Sequence, residues 1–254
     1  MKTAIMSDIH ANPAALKLAV DDALAQGVGE FISLGDFVGY GPDPNGAIDM
    51  ARRIFTASVQ GNHDEAILRP AYAHNFNSTA RRSVWQHEAE LTIENREFIR
   101  GLPMVIDDGR ALMFHGDCFV DDGEVQYGFG YICDNASAER CFAAMKAEEM
   151  SIAFVGHTHE PTIWSKTEDS PVVERQPESF VAEPGTLNIV NVGSVGCPRT
   201  VKYSSYVIIE PEDENLRIEF RRLDFDYIAY RKSLLEADVD VPLWLEDYVR
   251  RGGK

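Results

Sequence analysis

The sequence has few cysteines, few positive charges and no long apolar run. Its four cysteines lack CxxC spacing and are too few for a disulfide framework in 254 residues. We therefore expect reduced cysteines, some of them buried as small apolar side chains. The 24 Lys and Arg residues are outnumbered by 41 Asp and Glu residues, which leaves a formal net charge of −17. Such an acidic surface disfavours a long nucleic acid as a partner, because binding a phosphate backbone requires clustered Lys and Arg.

The sequence also lacks an apolar run long enough to cross a membrane, and we expect no membrane partner. No stretch approaches the roughly 20 apolar residues of a membrane span. The N-terminal sequence Met-Lys-Thr-Ala-Ile-Met reaches a ligand-type residue at Asp8, which leaves no room for a removable signal peptide. We therefore expect a cytoplasmic protein. Because candidate site residues run from Asp8 to His159, we expect residues 1–254 to form one domain. Nothing in the sequence indicates an oligomeric state.

The first half of the chain alternates strands with helices. Apolar runs at residues 3–6 and 31–34 are typical of buried parallel strands. Between them, Pro13 begins a helix whose apolar residues recur at helical spacing up to Leu24. Further along, the pattern predicts helices near 47–54, 78–100 and 137–149, strands near 56–60 and 152–155, and a hairpin of 104–106 with 111–114.

The second half is dominated by short strands. They form a second, more antiparallel set, and two helices near 226–237 and 243–250 close the chain. The proline-containing section 167–185 is predicted to be a loop or an irregular hairpin. The strands of this set are predicted at 162–165, 172–175, 188–192, 205–210 and 216–222.

Metal-type side chains follow the apolar runs at their downstream ends. In open α/β sheets, ligands bind in the crevice beyond the carboxyl ends of the strands. Oxygen and imidazole ligands together suit divalent manganese, iron, zinc or nickel. The sequence therefore predicts a divalent-metal site built from five segments, which are Asp8-Ile-His10, Gly35-Asp36, Gly61-Asn62-His63-Asp64, His115-Gly-Asp117 and Gly156-His157-Thr-His159.

Each segment alone is weak evidence, because a surface His-x-His pair is common and a lone Gly-Asp is more often a turn. Two features strengthen the prediction. Residues at i and i+2 of an extended strand project from the same face, so Asp8 and His10 can converge. A glycine such as Gly35 lets the backbone turn tightly, so that the next side chain points into the crevice. Five such strand ends in one α/β frame indicate a site.

The ordered segments resemble the motif set of the calcineurin-like metallophosphoesterases. The resemblance spans about the first 160 residues and fills every ligand position. The segment 191–199, Asn-Val-Gly-Ser-Val-Gly-Cys-Pro-Arg, also resembles the late Asn-Pro-Gly-Ser loop of small bacterial and archaeal members. The resemblance implies an α/β fold of the metallo-dependent phosphatase type, a four-layer αββα sandwich with two packed mixed β-sheets. That architecture agrees with the two predicted strand sets.

The resemblance also implies two divalent metal ions, with manganese the first expectation and iron, nickel or zinc the alternatives. A metal-bridging hydroxide would attack a small phosphodiester or phosphomonoester in line. His63 would be the general acid, or would donate a hydrogen bond to the phosphate, and Asp64 would hold its imidazole. Asp36 would bridge two ligand sets, which are Asp8, His10, Asp36 and His159 for one metal and Asp36, Asn62, His115 and His157 for the other.

One departure from the family pattern bears on the substrate. Ser/Thr protein phosphatases and the diadenosine tetraphosphatase branch carry Gly-Asp-x-x-Asp-Arg-Gly, whose arginine grips phosphate. Here the segment reads Gly35-Asp36-Phe-Val-Gly39 and lacks both the second aspartate and the arginine. This favours the small phosphodiesterase-like branch. A Ser/Thr protein phosphatase, a dinucleoside-polyphosphate hydrolase and a catalytically idle protein-interaction module of the same fold remain alternatives.

Four residues lie next to predicted site segments without a defined role. For Tyr40 and Arg199 the favoured interpretation is a turn tyrosine and a surface arginine, although either can line the pocket. If the missing phosphate-gripping arginine is replaced at all, Arg199 is the candidate. Cys118 and Cys197 are flagged only by their position. Specificity is expected to depend on segments 40–45, 118–131 and 167–185.

Overall fold

The computed structural model describes residues 1–213 and 215–251. Over these residues the chain forms two six-stranded mixed sheets and a separate two-stranded hairpin, with strands numbered along the chain. The first sheet has the spatial order β11 (Phe180–Ala182), β14 (Asn215–Asp224), β13 (Tyr203–Glu212), β1 (Lys2–Met6), β2 (Val28–Ser33) and β3 (Ala57–Ser58). The second has the order β10 (Val173–Arg175), β9 (Thr162–Lys166), β12 (Leu187–Asn191), β8 (Ile152–Val155), β5 (Leu112–Phe114) and β4 (Val105–Asp107). The hairpin consists of β6 (Asp117–Asp121) and β7 (Glu124–Gly128).

Six of the eight α-helices in the described residues begin at a side chain that caps the first turn. Asn12 and Asp43 each accept a hydrogen bond from the backbone N–H three residues on, and a proline follows each of them in the first turn. In the described part of the chain, none of the helices is both long and apolar enough to cross a membrane. The helices are α1 (Pro13–Ala25), α2 (Pro44–Ile54), α3 (Asn62–Leu68), α4 (Ser78–Glu90), α5 (Ile93–Arg100), α6 (Asn135–Ala147), α7 (Tyr227–Glu236) and α8 (Leu243–Arg250), with a 3₁₀ helix at Pro70–Asn75.

Alternating side chains of the strands separate the interior into layers. In β1, Ala4 and Met6 pack against α1, α2 and α5, whereas Ile5 packs between the two sheets. In β8, Phe154 faces the first sheet, and Val155 packs with α6 on the opposite side. The order helices, sheet, sheet, helix confirms the four-layer αββα sandwich. The interpretation of residues 1–254 as one domain stays a prediction.

One expectation about the elements is wrong. The strand sets are not the two halves of the chain, because the late strands β11, β13 and β14 complete the first sheet and the early strand β5 belongs to the second. The helical region expected at 78–100 is present and is divided into two helices. Thr92 caps α5 by accepting a hydrogen bond from Asn95 N, and Asn45 Oδ1 accepts from Thr92 N at 3.0 Å. Helix α3 and the β6–β7 hairpin were not predicted.

The two sheets meet closely at the ends of β1 and β8. Across the two sheets, the backbone N–H of His157 donates to Asp8 Oδ2 at 3.0 Å. Gly156 permits this approach, because a Cβ at that position would lie 2.0 Å from Ser7 Oγ. The carboxyl ends of strands from both sheets therefore open into the same crevice.

Candidate metal centre

Two groups of ligand-type atoms lie side by side in this crevice. Asp8, His10 and His159 form one group, and Asp36, His115 and His157 form the other; all of these side chains are buried. Within each group the potential ligand atoms lie within 4.8 Å of one another. A third group of the same kind consists of His10, Asp36 and His63. The structure thus brings at least one Asp or His side chain from each of the five segments into one site.

Asp36 lies between the two groups. Its Oδ2 is 3.3 Å from His115 Nε2 and 3.6 Å from His10 Nε2, one histidine from each group. Its Oδ1 accepts a hydrogen bond from the His63 N–H at 2.8 Å, which fixes the carboxylate plane. Asn62 Oδ1 lies 3.2 Å from His115 Nε2 and so belongs to the second group.

Backbone carbonyls orient three of the histidines. Nδ1 of His10 lies 2.8 Å from Val38 O, Nδ1 of His115 lies 2.7 Å from Leu34 O, and Nδ1 of His159 lies 2.5 Å from Cys197 O. Because a carbonyl can only accept, each Nδ1 carries the proton when the ring is neutral. The lone pair of each Nε2 then points into the site, as in metal-ligating histidines whose other nitrogen is held by a carbonyl.

The donor set fits divalent cations. Nε2 of His10 and Nε2 of His159 lie 3.0 Å apart, although neutral rings with protonated Nδ1 have only lone pairs to offer each other. Within residues 1–213 and 215–251, the buried atoms Asp8 Oδ1 and His157 Nε2 have no hydrogen-bond partner. Such orphaned acceptors are costly unless they bind something positive. Two cations among these atoms would satisfy them.

The charges of the site depend on one another. Burial opposes ionisation of Asp36, but the adjacent His115 and His63 outweigh it and hold the pKa of Asp36 well below its usual range. Burial likewise lowers the pKa of His115, yet Asp36 reverses the effect and raises it to about 9. Burial lowers the pKa of His157 to about 3 and of His159 to about 4. These last two imidazoles are therefore neutral and able to coordinate metal at pH 7.

The backbone at the site adopts strained conformations. Most non-glycine residues avoid positive φ, at a cost of about 1–2 kcal/mol each. Glycines allow the tight approach, since a Cβ on Gly61 would lie 2.1 Å from Asp36 Oδ1. Such strain concentrates at functional sites. Five of the seven expected ligands have φ between 47° and 67°, namely Asp8, His10, Asp36, His157 and His159.

Asp64 has a different role from the one expected. Its Oδ2 accepts from the Asp36 and Gly61 N–H groups at 2.8 and 3.0 Å, and its Oδ1 accepts from the Phe37 N–H at 2.9 Å. In the described residues no hydrogen bond joins Asp64 to the His63 imidazole, so the expected contact is wrong. Asp64 instead holds the backbone that carries Asp36.

His63 projects from the first turn of α3 into a cavity beside the two groups. Its ring packs against Phe76 with centroids 4.7 Å apart, and against Tyr40 and His10 at 5.0 and 4.8 Å. Burial lowers the pKa of His63, and the neighbouring Asp36 opposes this shift. Gly39 makes room for the ring, because a Cβ there would lie 2.1 Å from His63 Nδ1.

Tyr40 and Arg199 both line this cavity, which corrects the interpretation of a turn tyrosine and a surface arginine. Tyr40 is 4% exposed, and Arg199 is half-buried. The guanidinium carbon of Arg199 lies 4.8 Å from the Tyr40 ring centroid, in cation–π contact, and its Nη2 lies 3.2 Å from His159 Nε2. Of the ion pairs among the described residues, none involves Arg199, so its positive charge faces the cavity.

His87, outside the predicted segments, holds the loop that carries Tyr40. It is fully buried on α4, where Nδ1 accepts from the Gly39 N–H at 3.0 Å and Nε2 donates to Gly41 O at 3.0 Å. Four residues earlier, Ser83 Oγ accepts from the Tyr40 N–H at 2.8 Å. The sequence did contain a signal for this role, because Ser83 and His87 are polar residues four positions apart on the apolar face of a helix.

Neither of the flagged cysteines is among the residues that line the cavity. Cys118 is buried near α6, with its Sγ 3.0 Å from Cys141 Sγ. Cys197 contributes its backbone carbonyl, which positions His159. All four cysteines are free, and three of them are buried, as expected.

The cavity has a volume of about 250 Å³. It combines the inner faces of both ligand groups with a wall of aromatic and amide side chains. Its lining consists of Asp36, Tyr40, Asn62, His63, Tyr72, Asn75, Phe76, Asn77, Ala80, Phe129, Tyr131, His157, His159 and Arg199.

An αββα sandwich with clustered Asp and His side chains at one edge is the architecture that the sequence resemblance implied. A family model described as the calcineurin-like phosphoesterase superfamily domain matches residues 1–214. The chain therefore belongs to the calcineurin-like phosphoesterase superfamily. The family typically binds divalent metals, and the Asp and His groups described above are suited to hold them.

Individual relatives agree with this assignment. The crystal structure of a metallophosphoesterase from Sphaerobacter thermophilus is similar with a TM-score of 0.77 and 30% identity, over 96% of both chains. Hypothetical protein PH1004 from Pyrococcus horikoshii OT3 shares the fold with a TM-score of 0.68 and 17% identity, over 97% of this chain and 96% of the other. The uncharacterized protein MJ0912 of Methanocaldococcus jannaschii is 28% identical over 247 residues, which is 95% of this chain and 94% of that protein. These relatives are bacterial and archaeal, as the late loop suggested.

Proposed function

We propose that the protein is a phosphoric ester hydrolase that uses two divalent metal ions and acts on a small phosphodiester or phosphomonoester. The observation that carries this proposal is the position of the Asp36 carboxylate between two groups of ligand-type side chains, at the wall of a small cavity. Asp8, His10, Asp36 and His159 would hold one ion. Asp36, Asn62, His115 and His157 would hold the other, with manganese the first expectation.

Two bound cations would supply a water molecule of lowered pKa and positive charge for the phosphoryl oxygens. The protein's own groups would do the remainder. Arg199 would bind the phosphoryl group, because its cationic head faces the cavity beside His159. His63 would act on the leaving oxygen as the general acid, or would donate a hydrogen bond to the phosphate through its ring N–H, a role open to the neutral imidazole that burial favours. Asp64 would keep Asp36 and Gly61 in place.

The size of the cavity favours a small substrate over the alternatives. Its 250 Å³ lies below the roughly 300–1,000 Å³ typical of sites that enclose drug-sized ligands. A phosphopeptide or a dinucleoside polyphosphate would extend well outside it. A catalytically idle interaction module would not need the ligand positions to be filled or the backbone strain around them.

The proposal is tested by metal content and turnover together. Purified protein should contain up to two divalent ions per chain and should hydrolyse bis-p-nitrophenyl phosphate or p-nitrophenyl phosphate faster than a phosphopeptide. Asp36→Asn should lower the content of both ions, whereas His74→Asn, at an exposed histidine, should not. Protein without metal, and without activity after manganese addition, would contradict the proposal. A preference for the phosphopeptide would favour a protein phosphatase.

The role of His63 is tested by varying the leaving group. General-acid catalysis contributes about 10²–10⁴-fold, and it matters most when the leaving oxygen is basic. His63→Asn should therefore slow hydrolysis of an alkyl ester far more than that of a p-nitrophenyl ester. An equal loss on both esters would instead assign His63 to binding the phosphate. The cytoplasmic location expected from the N-terminal sequence stays a prediction.

A further inference from the structure

Aromatic rings line the part of the cavity that the proposed chemistry does not use. Tyr131 stacks on His157 with ring centroids 4.0 Å apart and 16° between the planes. Its side chain is nevertheless 54% exposed and lines the cavity, so the stack leaves much of the ring open. A large apolar ring kept exposed at a pocket mouth offers a surface on which another flat group can stack.

Three further rings line the same cavity. Tyr72 and Phe76 come from the 3₁₀ helix and the residue that follows it, and Phe129 comes from the segment after β7. Tyr72 makes edge contacts with Phe76 at 5.8 Å and with Phe129 at 6.1 Å. The three rings are only half-buried. Two distant stretches of chain thus bring half-exposed aromatic rings to one small space.

Two amide side chains also line this part of the cavity. Asn75 and Asn77 line the cavity, and Asn77 Nδ2 donates to Tyr40 Oη at 3.3 Å. The charged groups of the lining, apart from its histidines, are Asp36, beside His115, and Arg199, beside His159 and Tyr40. The four rings and the two amides themselves present flat apolar faces and neutral hydrogen-bonding groups.

We propose that this aromatic wall, formed by Tyr72, Phe76, Phe129 and Tyr131, binds a planar aromatic group carried by the phosphoester substrate. The inference rests on the proposed function, because it places the phosphoryl group at the metal centre and the ring in the same cavity. The proposed hydrolysis gives these exposed rings no role, whereas stacking with a substrate ring does. The volume of about 250 Å³ suits one ring system beside a phosphoryl group better than an extended chain.

Two sources of the ring share this chemistry, an aryl ester and a nucleobase. The side chain of Asn75 can distinguish a nucleobase from an aryl ester. An exposed amide can pair with the polar edge of a nucleobase, whereas a phenyl ring offers no such edge. Asn75→Ala should therefore weaken binding of a nucleoside phosphonate more than binding of phenylphosphonate if the natural group is a nucleobase. If it weakens neither, the ring is recognised by stacking alone.

Phosphonates test the inference without a leaving-group effect, because their C–P bond is not hydrolysed. Competitive inhibition constants are measured on manganese-loaded protein for methyl-, cyclohexyl- and phenylphosphonate. We expect phenylphosphonate to bind at least 10-fold more tightly than methylphosphonate and at least 3-fold more tightly than cyclohexylphosphonate. Equal binding of phenyl- and methylphosphonate would overturn the inference, as would equal binding of the phenyl and cyclohexyl compounds.

Variants locate the effect. Tyr131→Leu and Phe76→Leu should each reduce the preference for phenyl- over methylphosphonate at least 3-fold, and Tyr131→Phe should retain it. Phe180→Leu, at a ring on the edge strand β11 that is covered by Arg175, is the matched control and should leave the preference unchanged. A preference that survives both leucine substitutions would overturn the inference. If no phosphonate binds and no ester is hydrolysed, the proposed function itself fails, an outcome distinct from equal binding.

Discussion

Nη2 of Arg199 lies 3.2 Å from Nε2 of His159, the nitrogen that faces the metal centre. The same guanidinium rests on the ring of Tyr40. Its Nε is among the buried atoms of the described residues without a hydrogen-bond partner. A cation held at this point, with no carboxylate paired to it, is suited to an anionic substrate. It would take the place of the arginine missing after Gly39.

Replacing Arg199 should weaken phosphate binding without loss of metal. A charge-assisted hydrogen bond contributes about 1.5–3 kcal/mol, so Arg199→Gln should weaken inhibition by inorganic phosphate about 10- to 100-fold. Arg199→Lys should lose less, since the charge remains. Arg175→Gln is the control, because that arginine also covers an aromatic ring but lies on β10, away from the cavity. Unchanged phosphate inhibition in Arg199→Gln would exclude this role.

Gly39→Ala should displace His63. A methyl group at Gly39 would lie 2.1 Å from His63 Nδ1, and the residue has a φ of +83°. Gly123 has the same φ, with no atom within 4 Å of its Cβ position in the described part of the chain, so Gly123→Ala isolates the backbone cost. Gly123→Ala should lose about 1–2 kcal/mol of unfolding free energy, and Gly39→Ala should lose more, because its methyl group must also displace the ring. Only Gly39→Ala should also lose turnover; equal kinetics in the two variants would show that the ring position is unimportant.

Asp64→Asn should loosen metal binding. Both carboxylate oxygens accept backbone N–H groups, and an amide can offer only one oxygen, so its NH₂ would face a donor. Losing such a supporting contact typically costs about 10- to 100-fold in metal affinity. Asp134→Asn, at the N-cap of α6, is the control for a carboxylate that accepts a backbone N–H elsewhere. If Asp64→Asn leaves metal affinity unchanged and alters only how the rate depends on the leaving group of the ester, then Asp64 acts through His63 instead.

His87 should make the protein less stable in acid. Burial lowers its pKa from 6.5 to about 4, and the neutral ring is required because Nδ1 accepts from the Gly39 N–H. As pH falls below 6.5 the unfolded chain takes up this proton first, so the contribution of His87 is complete above pH 6.5 and disappears towards pH 4. The total loss is about 3 kcal/mol.

Denaturant unfolding in EDTA at several pH values measures this effect. The unfolding free energy of the wild type minus that of His87→Asn should shrink as pH falls from 7.5 to 4. His74→Asn, at an exposed position, is the control. A difference that stays constant across this range would show that His87 does not titrate as its surroundings imply.

The metal-type residues could be predicted from sequence because each directly follows an apolar run. Such a run predicts a buried strand, and the residue that follows the strand points into the crevice beyond its end. The role of Asp64 could not be predicted from its position next to His63 in the sequence. Neighbouring residues on a helix point in different directions, and Asp64 is the third residue of α3. From there its carboxylate returns to the Gly61 N–H, a helix-start pattern that the sequence did contain.

Other features depend on contacts between distant segments, and the local sequence pattern does not indicate such contacts. The pairing of β1 with β13 is one example, since both strands read simply as apolar runs. Arg199 is another, because its place in the cavity depends on the loop around Tyr40. That loop is in turn held by Ser83 and His87 of α4.

The pairing of β1 with β13 also constrains how the protein is made. Ile5 lies opposite Val207, and the Gly196 N–H donates to Asp8 O, so residues from the two ends of the chain meet at the first metal-type aspartate. A ribosome releases β13 only after every one of the expected ligands has been synthesised. Until then β1 has an unpaired edge, exposed to association with other chains. We therefore expect this side of the site to assemble only after β13 has left the ribosome, and refolding to be slow, as it is for proteins dominated by long-range strand pairs.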